Sequence, residues 1–355
     1  MIIDLSNHQF REIMENPMLH LPIRWDGRNF EDALDGVLDC FIDELNYYAL
    51  QDKKSMGLLK VDLSEIVSTC SDLKACVREY HKGFPSHALS VLNRIMSQLV
   101  RTPLEVYQRD GEPIEGDKLR LYRIRSGIQY SRKDIFHVPV NTRPIISTCR
   151  YSIAGYPSLY LTTSLALGME ETAANSEHAI ASKFIFEQPQ RRVDIHVLEL
   201  GIKPQDFLPD ERREGNRSMP RVIRDRLNDD EVREAYLRWY PVIAAGSFIR
   251  ANRAAPFASE YIVPQLLMQW IRTQSKRNSL MGIRYFSCAS IRASEMGYDY
   301  VFPANNYDYE DNYCSILRDA FLLTEPVHLR DYDDAPSCEH ALEQLALQKI
   351  WGIRI

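Results

Sequence analysis

Several absences in the 355-residue sequence narrow its class before any motif is considered. No stretch approaches the roughly 20 consecutive apolar residues that a membrane-crossing helix needs. The opening MIIDLSNHQFREIMENP has no basic segment leading into an apolar one, so no signal peptide is expected. The seven cysteines (Cys40, Cys70, Cys76, Cys149, Cys288, Cys314, Cys338) are scattered and none forms a CxxC, which supports neither a disulfide framework nor a zinc site. There is no GxGxxG, P-loop, HExxH or GxSxG, so Rossmann dehydrogenases, P-loop NTPases and the commoner hydrolases recede. A basic excess is missing too: 43 Lys and Arg against 49 Asp and Glu leave a net charge of −6. That balance argues against a whole-surface nucleic-acid binder. What remains, with 45% hydrophobic and 26% charged residues, is an ordinary folded composition. A cytoplasmic protein with reduced, mostly buried thiols is expected, with no membrane and no nucleic-acid partner.

The chain is long enough for about two domains. From Asp32, the residues Leu34, Val37, Leu38, Phe41, Ile42 and Leu45 recur at helical spacing. Asp62–Tyr80 reads as a second helix stopping near Gly83, and Leu89, Leu92, Met96 and Leu99 mark a third after Pro85. The pattern changes near Asp110–Gly111, a turn signal. Strand-like runs follow at Leu119–Arg125, Ser158–Thr162 and Arg192–Leu200, the last with Val193, Ile195 and Val197 alternating with polar residues. Ser164–Ala174 reads as a helix behind the strand before it. The charged stretch Asp210–Glu234 reads as a solvated insertion or surface helix, Ser259–Thr273 as an amphipathic helix, and Ala341–Ile350 as a last one. The fold class is therefore α+β: an all-α module over 1–115, a mixed α/β module over 116–330, and a tail over 331–355 with one helix.

Two motifs bear on chemistry. In RKDIFH, Arg132 and His137 have the Arg-x4-His spacing of HEPN-type ribonucleases, but Pro139 follows and the pair lies beyond the helical module, so chance explains it better. The second is an ordered series: LYRIR (121–125), CRYSIAGYPSLYLTTSLALGMEET (149–172), PFASEYIVPQLLMQWI (256–271) and GIRYFSC (282–288). This series resembles the RES family, named for its Arg, Glu and Ser, and specifically the branch with a HEPN-like helical N-terminal domain. The resemblance covers about residues 118–325. It implies an ADP-ribosyltransferase-like fold and an NAD-degrading toxin, for which NAD is substrate and no cofactor or metal is needed. It implies Arg123, Ser287 and either Glu170 or Glu171 as catalytic residues; matching Ser164–Leu165 to the family's helix start favours Glu171. Arg150, Tyr151 and Tyr160 match elements expected to bind the dinucleotide; Arg143 and Arg150 stay open between contacts to its pyrophosphate and surface salt bridges. Compact RES toxins pair with a helix-turn-helix antitoxin; here the added N-terminal domain leaves antitoxin, regulatory partner and self-association open.

The residue types suit that chemistry. A guanidinium fork binds pyrophosphate bidentately and keeps its charge at neutral pH. Breaking the nicotinamide N-glycosidic bond builds positive charge on the ribose, which a carboxylate stabilises. A serine hydroxyl orients the carboxamide or ribose, and tyrosine rings offer flat faces to nicotinamide or adenine. Taken singly, each has an ordinary explanation: Arg123 an edge ion pair, the glutamates a solvated helix face, Ser287 a loop hydroxyl, Tyr160 core. In family order together, they point to one pocket. Transfer of ADP-ribose to a protein or nucleic acid, or a non-catalytic nucleotide-binding module, are the alternatives. His137, Trp239, Tyr240 and Phe248 read as packing residues, and Cys149 and Cys288 flank the motifs.

Overall fold

Helices form where apolar residues fall at helical spacing, and the computed structural model, which describes residues 1–51, 59–101, 120–186, 196–209, 221–278, 280–304, 312–348 and 351–352, follows those stripes closely. The chain divides into two compact units, Met1–Arg109 with Ile202–Trp270, and Asp110–Gly201 with Ile271–Ile355.

In the first unit the helices Phe30–Gln51, Leu63–His81 and Pro85–Leu99 bury the expected faces, among them Leu34, Leu38, Phe41, Leu45, Leu73, Val77, Leu92 and Met96. Asp62 caps the second of these by accepting from the Ser64 N–H. Gly83 takes the left-handed φ of +87° that ends it, a conformation a side chain resists. The unit is not all-helical, however. Strand β1 (Ile2–Leu5) pairs antiparallel with β2 (Leu59–Asp62), so that Ile3 faces Val61 and Leu5 faces Leu59, all four buried. Two four-residue strands so far apart in sequence have no local signature.

The helix Asp230–Ala245 corrects the sequence reading of this region more deeply. Its charged first turn gives way to an apolar run, and Tyr236, Leu237, Trp239, Tyr240, Val242 and Ile243 are buried on nearly every side of it. It packs on the helices Phe30–Gln51 and Leu63–His81 and on β2. The stripes of the N-terminal helices need this helix as their partner, which is why 202–270 clusters with them and not with the segment from 116. Residues 210–220 of the stretch expected to be solvated lie outside the described residues.

The second unit is built on a mixed sheet. Its strands are β3 (Arg120–Ser126), β4 (Ser158–Thr162), β5 (Ala179–Phe186), β6 (His196–Leu200), β7 (Leu280–Phe286), β8 (Tyr298–Pro303), β9 (Phe321–Leu323), β10 (Val327–His328) and β11 (Trp351–Gly352). The order is β11-β9-β5-β3-β4-β8-β7-β6, with β10 on β5; β6 and β7 are parallel and the other described pairs antiparallel. The α+β class expected from the sequence is thus the observed one. Of the run expected at Arg192–Leu200, residues 192–195 lie outside the described residues.

After β4, Ser164 caps the helix Leu165–Thr172, its hydroxyl accepting from the Leu167 N–H at 3.2 Å. The helix rides close over β3, where a Cβ on Gly168 would sit 3.0 Å from the Ile124 methyl. The last helix, Ala335–Gln348, completes a core of Tyr122, Ile124, Leu165, Ala179, Ala181, Leu329, Cys338 and Leu342. Residues 331–348 are therefore part of the sheet unit, tied in by apolar packing a detached tail could not make.

Candidate active site

The strand order sets β3, β4, β8 and β7 side by side, so residues far apart in sequence meet. Arg123 rises from β3, Tyr160 from β4, Asp299 from β8, and Ser287 follows directly on β7. Thr162 of β4, Asp299 of β8 and Tyr285 of β7 form one cross-strand row. Gly297 sets the start of β8: its φ of +149° is a glycine conformation, and the Thr163 hydroxyl occupies the place a Cβ would take. That hydroxyl accepts from the Tyr298 N–H at 2.8 Å and so fixes the residue before Asp299.

Ser287 is fully buried and its Oγ–H donates to Glu171 Oε1, while the same oxygen accepts from the Ala289 N–H at 3.1 Å. Its proton is thus committed to a carboxylate, and the hydroxyl holds that carboxylate in place. Glu171 is otherwise exposed, at the end of the helix Leu165–Thr172. Glu170 beside it accepts a long 3.4 Å contact from Ser290. Arg123 Nη1 donates to the Tyr160 carbonyl at 3.3 Å, whereas its Nε is enclosed without a partner among the described residues. Burial, and then the neighbouring Arg125, pull the Arg123 pKa down; Cys149 and Tyr160 oppose this. The side chain as a whole is nevertheless partly accessible. Crowded by protein yet touched by solvent, it has the surroundings of a group lining a cleft.

The electrostatic neighbourhood links these groups. The Cys149 thiol is pushed up by burial, and both Arg123 and Glu171 act on it. The Tyr285 phenol is held far above its usual value by burial and by Asp299, Glu171, Tyr160 and Tyr151. Asp299, 3% exposed, is raised well above the carboxylate range by burial first and then by Glu171, to which it hydrogen-bonds; Arg150 opposes. Arg150 itself is buried. Tyr151 is buried with its ring 4.6 Å from that of Tyr285, and its carbonyl accepts from the Tyr160 hydroxyl at 2.6 Å.

Of the residues singled out in the sequence, Arg123, Glu171, Ser287, Tyr160, Tyr151 and Arg150 come together in the sheet unit. Glu170 lies beside them. Arg143 is exposed on the 3₁₀ turn Val140–Ile145, and no described contact joins it to the cluster. Asp299, Tyr285 and Ser290 were missed. Asp299 had one sequence signal, an acidic residue inside the apolar strand run YDYVFP. Arg132 and His137 have separate partners: Arg132 pairs with Glu325 at 2.7 Å, and the buried His137 accepts from the Cys314 N–H at 2.9 Å. Among the described residues no group of three or more His, Cys, Asp or Glu could hold a metal ion, and no helix is long and apolar enough to cross a membrane.

Compared with known proteins, the chain is 25% identical over 317 residues to a Bacillus subtilis (strain 168) protein named "Putative toxin YopC", an alignment covering 86% of this chain and 68% of the relative. No protein-family profile matches the chain, and no solved structure does.

Proposed function

We propose that the sheet unit cleaves the nicotinamide N-glycosidic bond of NAD, as a RES-type enzyme of ADP-ribosyltransferase-like fold with a HEPN-like helical partner domain, and that the chain acts as a toxin by depleting NAD. The observation that carries this reading is the Ser287–Glu171 hydrogen bond, formed across 116 residues of sequence beside the incompletely partnered guanidinium of Arg123. The resemblance of the ordered blocks to the RES family and the toxin name of the 25% identical relative support it independently.

In this reading a pyrophosphate oxygen supplies the partner that the Arg123 Nε lacks. Glu171, held by Ser287, faces the ribose as the C1′–N bond breaks. The bonding electrons leave with nicotinamide and discharge its ring, while the sugar gains positive charge that the carboxylate stabilises. An acceptor then attacks C1′ and gives up its proton: water yields ADP-ribose, inorganic phosphate its 1″-phosphorylated form. Tyr160, partly accessible, offers a ring face to the nicotinamide; Tyr151, buried behind it, anchors the Tyr160 hydroxyl.

Incubating the purified chain with NAD, with and without phosphate, tests this. Release of free nicotinamide is expected, with product identity fixing the acceptor. NAD left intact under both conditions refutes the reading. An ADP-ribose adduct on added protein or nucleic acid, with no free ADP-ribose or its phosphate, would replace it with a transferase.

A further inference from the structure

We propose that Asp299 is a positioning residue for Glu171, acting as a neutral carboxylic acid that donates its proton in a hydrogen bond to the Glu171 carboxylate. With the Ser287 hydroxyl it fixes an otherwise exposed side chain against the ribose, a role that rests on the NAD reading above.

The argument begins with where Asp299 sits. It is in β8, between β4 and β7, and almost wholly enclosed. Its Oδ2 is buried and has no hydrogen-bond partner among the described residues. An ionised carboxylate there would leave that oxygen charged and enclosed without a donor among the described residues, a costly arrangement. Its side-chain hydrogen bond is to Glu171, a second carboxyl. Two ionised carboxylates have no proton to share, so the contact requires that one of them hold a proton.

The surroundings decide which one. Glu171 lies at the exposed end of its helix, in reach of water, and already accepts from Ser287. Asp299 is buried. Arg150, from the loop before β4, favours ionised Asp299, but burial and Glu171 outweigh it. Tyr285, opposite on β7, keeps its phenolic proton and adds no charge. The proton therefore resides on Asp299, and the Glu171 carboxylate receives two donors from two different strands' ends. A side chain with several rotatable bonds is thereby held to one orientation before substrate arrives.

The test compares Asp299→Asn, whose amide still donates, with Asp299→Ala, which does not. Nicotinamide release by Asp299→Ala is expected to fall about a hundredfold in kcat, the cost of misplacing a reacting group by an ångström, with KM for NAD little changed. Asp299→Asn is expected to keep kcat within about tenfold of the parent, the smaller loss reflecting a retained donor. The parent's kcat should also decline at alkaline pH as the proton leaves Asp299, and Asp299→Asn should lack that limb. Isotope-edited infrared spectra of the full chain give a readout free of activity: the carbonyl band of a protonated carboxylic acid at neutral pH, gone in Asp299→Asn. The proposal is overturned by absence of that band, by Ala matching the parent, by Asn as slow as Ala, or by an alkaline limb shared by parent and Asn variant. If the parent releases no nicotinamide, the NAD reading fails, and the infrared band alone decides whether Asp299 holds the proton.

Discussion

The two units bury polar groups in different ways. In the helical unit, Tyr236 and Tyr240 donate to the carbonyls of Ile202 and Leu19 at 3.2 and 3.0 Å. The buried Arg233 there is spread over the Leu227 carbonyl, Asn7 and Asn228, beside Asp230. In the sheet unit, Arg123 Nε and Asp299 Oδ2 are enclosed with no partner among the described residues, and two carboxyls press on one another. A buried polar group whose bonds close within the fold is structure; several left open at one place mark where something else is to bind. Open buried atoms are not confined to the sheet unit, since Asp35 Oδ1 in the helical one is also enclosed without a partner among the described residues. What sets the sheet unit apart is that two of its open atoms lie in the neighbourhood of the Ser287–Glu171 hydrogen bond.

The largest effect that sharpens this contrast is in packing. Trp239 is fully buried in the helix Asp230–Ala245. Trp239→Ala should cost about 3–5 kcal/mol in denaturant unfolding, by lost transfer energy and the cavity left behind. Folded molecules that remain should keep their KM for NAD; a raised KM would mean the helical unit contributes to substrate binding.

Glu171→Gln should do the reverse. Nicotinamide release is expected to fall by about 10²–10³-fold, as when one group stabilising transition-state charge is removed. The unfolding midpoint should stay put, because the side chain is exposed and buries little. Glu170→Gln, whose contact with Ser290 is long, should be mild. Full turnover in both variants would remove the glutamates from the site.

Much of this contrast was legible locally. Amphipathic stripes fixed the helices Phe30–Gln51, Leu63–His81 and Pro85–Leu99, because a helix writes its buried face into its own period. Ser158–Thr162 and the helix beginning at Ser164 were equally visible. What could not be read was partnership. Nothing in the periodicity of Asp230–Ala245 says which stripes it covers, and nothing in Ile2–Leu5 says that it pairs with Leu59–Asp62. Arg123, Glu171 and Ser287 were singled out by the resemblance of the ordered blocks to a family pattern, not by their own periodicity. Asp299 escaped it, since a carboxyl's protonation is set by what encloses it.

Asp299 also bears on stability, with a definite sign. Its folded pKa lies above its unfolded value of about 3.9, so above that pH the folded state binds more protons than the unfolded one. Stability must then fall as pH rises from about 4 until the folded group titrates. Asp299→Asn removes this slope. Its melting temperature should exceed the parent's by more at pH 8 than at pH 4, and a constant difference would show that Asp299 is ionised in the fold.

The smallest effect falls on a sheet-unit residue of the other kind, one whose bonds close. Glu339, on the helix Ala335–Gln348, accepts from the Leu165 N–H at 2.6 Å and so caps the Glu171-bearing helix Leu165–Thr172 from outside its own chain segment. Removing such a cap costs about 1 kcal/mol, so Glu339→Ala should lower stability by that much, while Gln keeps the acceptor and most of the stability. Burial raises the Glu339 pKa, with Glu343 adding to it and the Leu165 N–H opposing. The parent's stability should therefore slip slightly above pH about 4.3, the unfolded glutamate value, a slope that Glu339→Gln lacks. Nicotinamide release should change less than tenfold in either variant, since Ser164 still caps the same helix and the Ser287–Glu171 bond is untouched. A loss as large as that of Glu171→Gln would show that the helix start, and not the hydrogen bonds at its far end, holds the carboxylate in place.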